Sequence, residues 1–242
     1  MLFGFRRHFR IKSPSKLMPT LQLYDQLLQF PLFLGMSRDN LEKVAGHTKF
    51  GFMKCGEGEI IVKEATPCNQ LHFLLSGVLK AEAWSDDRSY MVVERLAAPF
   101  ILQPEAIFGY HQRFTHTFTT MTEASLITLD KDEVLRLSEE FLVFRLNLLN
   151  IFATQTQKLL RQPWRRFPDT LSERIIRFLA QHCIYPAGPK TFYILMTRLA
   201  DEIGDSRLDI SRALNKMQID GLVNLHRGRI EVPQMERLLM NA

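Results

Sequence analysis

The chain has 242 residues, of which 46% are hydrophobic and 24% are charged, a composition typical of a globular protein long enough for two domains. No apolar run reaches the length of a membrane-spanning helix, and the N-terminus lacks the small-residue cleavage site of a signal peptide, so we expect a cytoplasmic protein without membrane contact. The three cysteines, Cys55, Cys68 and Cys183, are too few and too far apart for a disulfide framework or a structural zinc site.

The net charge of +5 is unevenly distributed along the chain. Residues 1–20 contain five basic and no acidic side chains, residues 21–162 carry a net charge of −3, and residues 163–242 carry +3. This excess of basic residues at the two ends has the sign that nucleic-acid binding requires, but it is small. An ordinary solvated surface would produce the same distribution, so charge does not decide between the two interpretations.

The first half of the chain predicts short helices around an antiparallel β-roll. Residues 21–35 form a short apolar helix that Pro31 interrupts, and Ser37 caps a second helix. Between residues 48 and 129, short β-rich runs alternate with Gly, Pro, Asn and Asp, as they do in an antiparallel jelly roll. Gly77, in the run LLSGVLK, has the position of a hairpin turn between two buried strands.

A brief helix over residues 131–137 precedes a long helix over residues 139–162, which Pro163 ends. Apolar residues on the long helix recur at alternating spacings of four and three, the pattern of a coiled-coil seam. A second apolar set would pack on the β-roll. The simplest partner for the seam is the same helix of a second subunit, so we expect a homodimer; one helix buried on both sides would show the same pattern. The seam consists of Leu142, Leu146, Leu149, Ala153, Thr156 and Leu160, and the second set of Phe144, Leu148, Ile151, Phe152 and Leu159.

A small C-terminal domain follows a hinge at residues 163–169. Its first helix is capped by Thr170, and a short strand, TFYIL, comes after a loop. Two short helices with a tight turn between them are then predicted over residues 196–223. Gly204 ends the first of them in the left-handed conformation, and Ser206 caps the second. The run LVNLHRGRIEV that follows predicts two short strands joined around Arg227-Gly228, which is a wing.

The second helix of this pair is amphipathic. Ile210, Leu214 and Met217 form an apolar stripe that would pack on the first helix, so the opposite face points outward. Arginine, hydroxyl and amide groups on that face can meet base edges and phosphates, which is the layout of a helix-turn-helix. An ordinary helical hairpin with a solvated face would have the same spacing. The outward face carries Arg207, Leu208, Ser211, Arg212 and Asn215.

Over residues 21–235 the order of these parts resembles the Crp/Fnr family of transcription regulators, named after the cAMP receptor protein and the fumarate-nitrate regulator. The most specific features are the run SR…ISRALNKM with the following DGLV, the β-roll before a long helix, and the wing. The resemblance implies an α+β protein with an N-terminal antiparallel β-roll, a jelly roll like the cyclic-nucleotide-binding domain, then a long dimerisation helix and a C-terminal winged helix-turn-helix. It also implies a transcription regulator, not an enzyme, that binds palindromic double-stranded DNA as a homodimer, with RNA polymerase as a candidate partner.

The resemblance assigns roles to the residues of the C-terminal domain. Arg207, Ser211 and Arg212 would contact bases, with Asn215 on the same face, while Thr197, Ser206 and Arg227 would hold phosphates. Leu208 departs from the glutamate that is common in the family, and an aliphatic side chain can at most touch a thymine methyl group.

The resemblance also implies a division of the chain into domains. They are a basic tail at 1–20, a sensor domain at 21–138, a dimerisation helix at 139–162, a hinge at 163–169 and a DNA-binding domain at 170–242.

The ligand cassette departs further from the family. Its cAMP binders hold the cyclic phosphate with an arginine, a hydroxyl and backbone amides, and hold the ribose with a glutamate. Glu105 matches that glutamate, but Pro104 replaces the preceding glycine and removes an amide donor. Without gaps the arginine position falls on Phe114, and Arg113 is one residue out of register. We therefore predict no cofactor and no control by cAMP. The candidate pocket residues are Glu105, Arg113, Thr115, Leu159 and Leu160, of which the last two replace a Thr-Ser pair that meets the adenine.

Other chemistries are weaker alternatives. An iron-sulfur sensor of this family needs a cysteine cluster near the N-terminus, and residues 1–54 contain no cysteine. A haem sensor would take an axial ligand from His72, His111, His116 or a cysteine, none of which stands in a distinctive motif. A cupin-like metal enzyme needs clustered histidines such as H-x-H, and only His111 and His116 come close, so we expect no metal site. An apolar effector, a carboxylate effector and no effector at all remain open.

Overall fold

The computed structural model describes residues 20–241, with side chains from Leu23 onward. The predicted basic tail at residues 1–20 therefore lies outside the described residues, apart from the backbone of Thr20. The described part has two hydrophobic cores, one in the N-terminal β-roll and one in the C-terminal helical domain. The predicted α+β class, with a β-roll before a winged helix-turn-helix, is confirmed.

Short helices begin the described chain and cover one end of the β-roll. Helix α1 spans Thr20–Leu27, a 3-10 helix spans Pro31–Phe33, and helix α2 spans Arg38–His47. The hydroxyl of Ser37 accepts a hydrogen bond from the backbone N–H of Asn40 at 3.2 Å, so the predicted N-cap is present.

The β-roll consists of antiparallel strands in two sheets. The first sheet has the order β1-β8-β3-β6, and the second contains β5-β4-β7-β2. Strand β6 lies where the sequence predicted no strand, because three residues are too few to show a period. The strands are β1 (Phe50–Cys55), β2 (Ile60–Val62), β3 (Gln70–Ser76), β4 (Val78–Trp84), β5 (Met91–Ala97), β6 (Phe100–Leu102), β7 (Thr117–Thr120) and β8 (Ala124–Asp130).

Gly77 does not form the predicted hairpin turn. Strand β3 pairs with β6 and β8, whereas β4 pairs with β5 and β7, so the two strands that flank Gly77 belong to different sheets. Gly77 has φ +98°, and a Cβ at this position would lie 2.5 Å from the carbonyl oxygen of Glu123. The hairpin prediction was wrong because the local sequence pattern shows that the chain turns sharply at Gly77 but does not show which sheet the next strand joins. The glycine forms a corner between the sheets.

The predicted long helix is divided near its start. Helix α3 spans Lys131–Glu140 and helix α4 spans Leu142–Leu160, so the helix begins at residue 142 and not at 139. Between them Phe141 has an extended backbone, with φ −119° and ψ 105°, and its side chain is buried in the β-roll core. The apolar pattern does not reveal this break because a buried phenylalanine fits a helix and a break equally well. A 3-10 helix at Gln162–Trp164 follows α4.

The C-terminal domain has the predicted helix-turn-helix and wing. Thr170 caps α5 by accepting a hydrogen bond from the N–H of Glu173 at 3.2 Å, and Gly204 ends α6 with φ +71°. The elements are α5 (Leu171–Gln181), β9 (Lys190–Tyr193), α6 (Met196–Ile203), α7 (Arg207–Ile219), β10 (Asn224–His226), β11 (Arg229–Val232) and α8 (Met235–Leu239).

One sheet continues from the β-roll into the C-terminal domain. Its full order is β10-β11-β9-β5-β4-β7-β2, in which β9 pairs antiparallel with β5. The register places Met91 opposite Tyr193 and Glu94 opposite Lys190. The sequence did not predict this contact, because local patterns carry no information about pairing between strands about a hundred residues apart.

Candidate nucleic-acid interface

Helix α7 presents a polar face because its apolar stripe is buried. Ile210, Leu214 and Met217 lie in the core of the C-terminal domain. The N-cap of the helix is Ser206, whose hydroxyl accepts a hydrogen bond from the N–H of Asp209 at 3.1 Å. The same hydroxyl donates to the Asp209 carboxylate at 2.6 Å, and this bond, together with Arg212, lowers the pKa of Asp209. The start of the helix is therefore fixed by a reciprocal cap.

The outward face of α7 is accessible. Arg207, Arg212 and Asn215 are exposed, and the Leu208 side chain is 60% exposed. Ser211 is half-buried. The guanidinium of Arg212 donates to Asp209 at 3.2 Å, a pair that is exposed and therefore weak. These side chains can therefore contact DNA that lies along the helix. Arginine is the side chain best suited to the O6 and N7 atoms of guanine.

The two predicted phosphate contacts outside α7 are also exposed. Thr197 is the second residue of α6, near the N-terminus of that helix, and Arg227 lies in the turn between β10 and β11. A helix N-terminus and a wing arginine are both suited to anionic oxygens. Helix period and the Ser206 cap predicted the outward face of α7, whereas the phosphate roles of Thr197 and Arg227 came from the family resemblance.

The predicted seam residues of α4 form an exposed apolar stripe. Leu142, Leu146, Leu149 and Leu160 are 56%, 48%, 55% and 66% exposed, and Ala153 and Thr156 are exposed as well. Of the second apolar set, Phe144 and Leu148 are buried on the β-roll and Ile151 and Phe152 are half-buried, whereas Leu159 is 64% exposed. Leu159 is the penultimate residue of α4 and does not pack on the β-roll core.

A cavity of about 480 Å³ lies between the β-roll and α4. Its polar groups come from Gln103, Glu105, Thr115, His116 and Gln155, and apolar side chains form the rest of the wall. The amide of Gln103 donates to the Thr115 hydroxyl at 2.6 Å, and the amide of Gln155 donates to the Glu105 carboxylate at 3.3 Å. The apolar lining residues are Phe30, Pro31, Pro99, Phe100, Ile101, Pro104, Ile151 and Ile184.

Two of the five predicted pocket residues line this cavity, namely Glu105 and Thr115. Arg113 does not line it; its guanidinium donates to the carbonyl oxygen of Ala65 at 2.6 Å. Leu159 and Leu160 are exposed at the end of α4. The other eleven lining residues were not predicted as pocket residues, among them Gln103, His116, Gln155 and Ile184. Gln155 faces the same way as Ile151 one turn earlier, which is a signal that helix period could have provided.

Burial keeps two histidines of the β-roll neutral. Desolvation lowers the pKa of His116, which lines the cavity, to about 4, and lowers that of His72 to about 4 as well. His116 is stacked on Phe118, and its Nδ1 lies 2.8 Å from the Thr115 hydroxyl. At neutral pH the cavity therefore contains no charged imidazole.

Within residues 20–241 no group of three or more His, Cys, Asp or Glu side chains is placed to hold a metal ion. None of the helices in the same range combines the length and apolarity that crossing a membrane requires.

Family comparisons match both parts of the chain. Residues 52–141 match the cyclic nucleotide-binding domain, and residues 173–240 match the Crp-like helix-turn-helix domain. No curated protein matches the sequence.

Solved structures show a similar fold at low sequence identity. A transcriptional regulator of the Crp/Fnr family from Eubacterium rectale is 21% identical, with 88% of this chain and 97% of that one covered and a TM-score of 0.50. The sensor domain of the transcriptional regulator DNR from Pseudomonas aeruginosa is 15% identical over 63% of this chain and 97% of that one, with a TM-score of 0.51. The catabolite activator protein of Thermus thermophilus is 19% identical over 87% and 97%, with a TM-score of 0.49.

Proposed function

The chain belongs to the Crp/Fnr family of DNA-binding transcription regulators, and we propose that it acts as a homodimer on a two-fold-symmetric DNA site, without control by cAMP. The observation that carries the proposal is the exposure, on one chain, of both the polar face of α7 and the apolar stripe of α4. One surface suits DNA and the other suits a second copy of the chain. A cytoplasmic location, where the DNA is found, is part of the same proposal.

The second copy is the best candidate to cover the α4 stripe. The stripe follows the alternating spacing of a two-helix seam, and its four leucines are each about half exposed or more. A two-fold axis along α4 would bring each leucine against its equivalent in the other subunit. The two α7 helices would then be related by the same axis, as a palindromic site requires.

The test of this part is the stoichiometry on DNA. We expect native mass spectrometry to find two chains on a duplex with both half-sites, and weak single-chain binding to a duplex with one. Single chains that bind both duplexes with equal affinity would contradict the homodimer.

Within α7, Arg207, Ser211 and Arg212 are the proposed base contacts. Leu208 can add only an apolar contact, for which the thymine methyl group is the partner. Thr197, Ser206 and Arg227 are the proposed phosphate contacts. RNA polymerase is a further proposed partner if the protein activates transcription, because an activator needs a surface for the enzyme and a repressor needs only to occupy its site.

The chemistry of the cavity supports an effector other than cAMP. A cyclic phosphate is an anion, and the described residues that line the cavity include the Glu105 carboxyl group but neither lysine nor arginine. Burial of a phosphate without a cation is costly. The apolar walls suit an uncharged, largely apolar molecule that can donate a hydrogen bond to Glu105. Glu105 and Thr115 are the proposed effector contacts; Arg113, Leu159 and Leu160 would join them only after a rearrangement of the chain.

Calorimetric titration tests this part directly. We expect no heat of binding with cAMP up to millimolar concentration. A saturable titration with cAMP that is lost in Arg113→Ala would contradict the proposal, because it would place the arginine in the pocket.

A further inference from the structure

A buried ion pair joins the sensor domain to the DNA-binding domain. The ammonium group of Lys190 in β9 lies 2.7 Å from the carboxylate of Glu94 in β5, and both side chains are at most 2% exposed. The second carboxylate oxygen of Glu94 accepts a hydrogen bond from the N–H of Ile184 at 2.7 Å, in the loop between α5 and β9. One sensor residue therefore holds both a strand and a loop of the other domain.

Further contacts surround this pair. The hydroxyl of Tyr90 lies 3.0 Å from Nε2 of His182, and the guanidinium of Arg198 in α6 lies 3.1 Å from the carboxylate of Asp87. Val92, a residue of β5, is buried in the core of the DNA-binding domain. The contacts run along one side of the β4-β5 hairpin, so the hairpin is the platform on which the DNA-binding domain is docked.

We propose that the Glu94-Lys190 pair is a latch that docks the DNA-binding domain on the sensor domain and thereby sets the spacing between the two half-sites that the dimer reads. In the docked arrangement the face of α7 is exposed, so docking does not obstruct DNA. Docking also fixes α7 relative to α4. This inference rests on the proposed homodimer, because only in a dimer does the position of α7 become a distance between two recognition helices.

The physics of a buried ion pair makes it suitable as a latch. Each charge is tolerated in the interior only because the other is present, and removal of one partner leaves an uncompensated buried charge. A shift of one residue between β5 and β9 would turn the two side chains to opposite faces of the sheet, so the pair also fixes the register. The two domains have separate cores. Undocking can therefore hydrate a lone Glu94 without unfolding either domain.

Amide hydrogen exchange on the full chain tests docking without DNA. Lys190→Met leaves Glu94 without its cation, and we expect the amides of β5 and β9 to lose at least about tenfold in protection while those of α4 and α7 keep theirs. In the double variant Glu94→Gln/Lys190→Met no charge is buried, and the glutamine carbonyl can still accept from Ile184, so protection should return. Arg88→Met is the matched control, because it breaks an exposed ion pair with Glu64 next to the same hairpin.

Unchanged protection in Lys190→Met would overturn the latch. Loss of protection across both domains would overturn it as well, because the pair would then stabilise the whole fold and not the docking. Failure of the double variant to recover the protection of β5 and β9 would also overturn the latch.

Binding to a series of palindromes with different spacers tests the consequence for spacing. We expect the wild type to bind one spacer best, and to bind spacers that are longer or shorter by two base pairs at least about tenfold more weakly. The preference should fall to less than about threefold in Lys190→Met and return in the double variant. An unchanged preference in Lys190→Met would overturn the role in spacing. If the wild type reads no symmetric site at all, the proposed function fails, while hydrogen exchange still decides whether the pair docks the domains.

Discussion

The guanidinium of Arg212 lies 3.2 Å from the carboxylate of Asp209, and that carboxylate also accepts a hydrogen bond from the Ser206 hydroxyl at 2.6 Å. The cap of α7 is thus connected to an arginine on its DNA-facing side. The Arg212-Asp209 pair is exposed, with side chains 70% and 48% accessible, so it is held weakly and the arginine can leave it for a base.

Arg212→Ala is expected to weaken binding to the specific site by about 1–3 kcal/mol, roughly a five- to 150-fold loss, because a bidentate contact to guanine is worth that much. Binding to random DNA should change little, and the sedimentation coefficient should be that of the wild type. A fluorescence anisotropy titration with both DNA types measures the difference.

Arg38→Ala is the control for this substitution. Arg38 is also an exposed helical arginine, paired with Glu42 one turn away at 3.1 Å, but it lies in α2. The Arg38→Ala variant should bind the specific site with the affinity of the wild type. If Arg212→Ala still selects the same site with the same affinity, α7 does not read bases through Arg212.

Leu149→Glu is expected to convert the dimer into monomers. Leu149 is at the middle of the exposed stripe of α4, so the substitution would bring two like charges together in the seam. Sedimentation velocity should show half the mass of the wild type. Leu135→Glu, on the exposed side of α3 where the side chain is 45% exposed, should leave the mass unchanged. Equal masses for Leu149→Glu and the wild type would disprove the seam.

Gly77→Ala is expected to lower the free energy of unfolding by more than about 1 kcal/mol, because alanine is strained at φ +98° and its Cβ would clash with the carbonyl of Glu123. Gly46→Ala, in α2 with open space around the Cβ, should be neutral or stabilising. Urea denaturation compares the two. A Gly77→Ala variant as stable as the wild type would contradict the corner.

The local features of this fold could be predicted and the long-range ones could not. The caps at Ser37, Thr170 and Ser206 depend on residues within one helical turn, so the sequence contains them in full. The break at Phe141 depends on a core that many distant residues build. The corner at Gly77 depends in the same way on which sheet receives β4.

The candidate sites also differ in whether they depend on local or on long-range contacts. The exposed faces of α4 and α7 follow from helix period, because each face is defined by residues three and four apart. The cavity joins Gln103, His116, Gln155 and Ile184 from four segments, and the pair Glu94-Lys190 joins residues 96 positions apart. No local pattern specifies such contacts.

The free energy of unfolding is expected to fall as the pH falls from about 6.5 to 4. His72 and His116 have pKa values lowered to about 4 by burial, whereas in the unfolded chain they titrate near 6.5, so the unfolded state binds more protons in this window. Above pH 6.5 both states are neutral and this contribution to stability is complete. Urea denaturation from pH 7 to 4 measures the slope.

His72→Leu should reduce that slope, because the variant has one histidine fewer to protonate on unfolding. Phe73→Leu is the matched control, since it changes the neighbouring buried side chain without changing titration; it should lower stability at every pH and keep the slope. A His72→Leu variant with the slope of the wild type would contradict the neutral, buried state of His72.

Whether the protein reads a symmetric DNA site without control by cAMP is best measured by selection of bound sequences from a random DNA pool at stated salt, run in parallel with and without cAMP. We expect one two-fold-symmetric motif that is enriched equally in both arms. A motif that emerges only with cAMP would contradict the independence from cAMP, and the absence of any motif in both arms would contradict the reading of DNA by the unliganded protein.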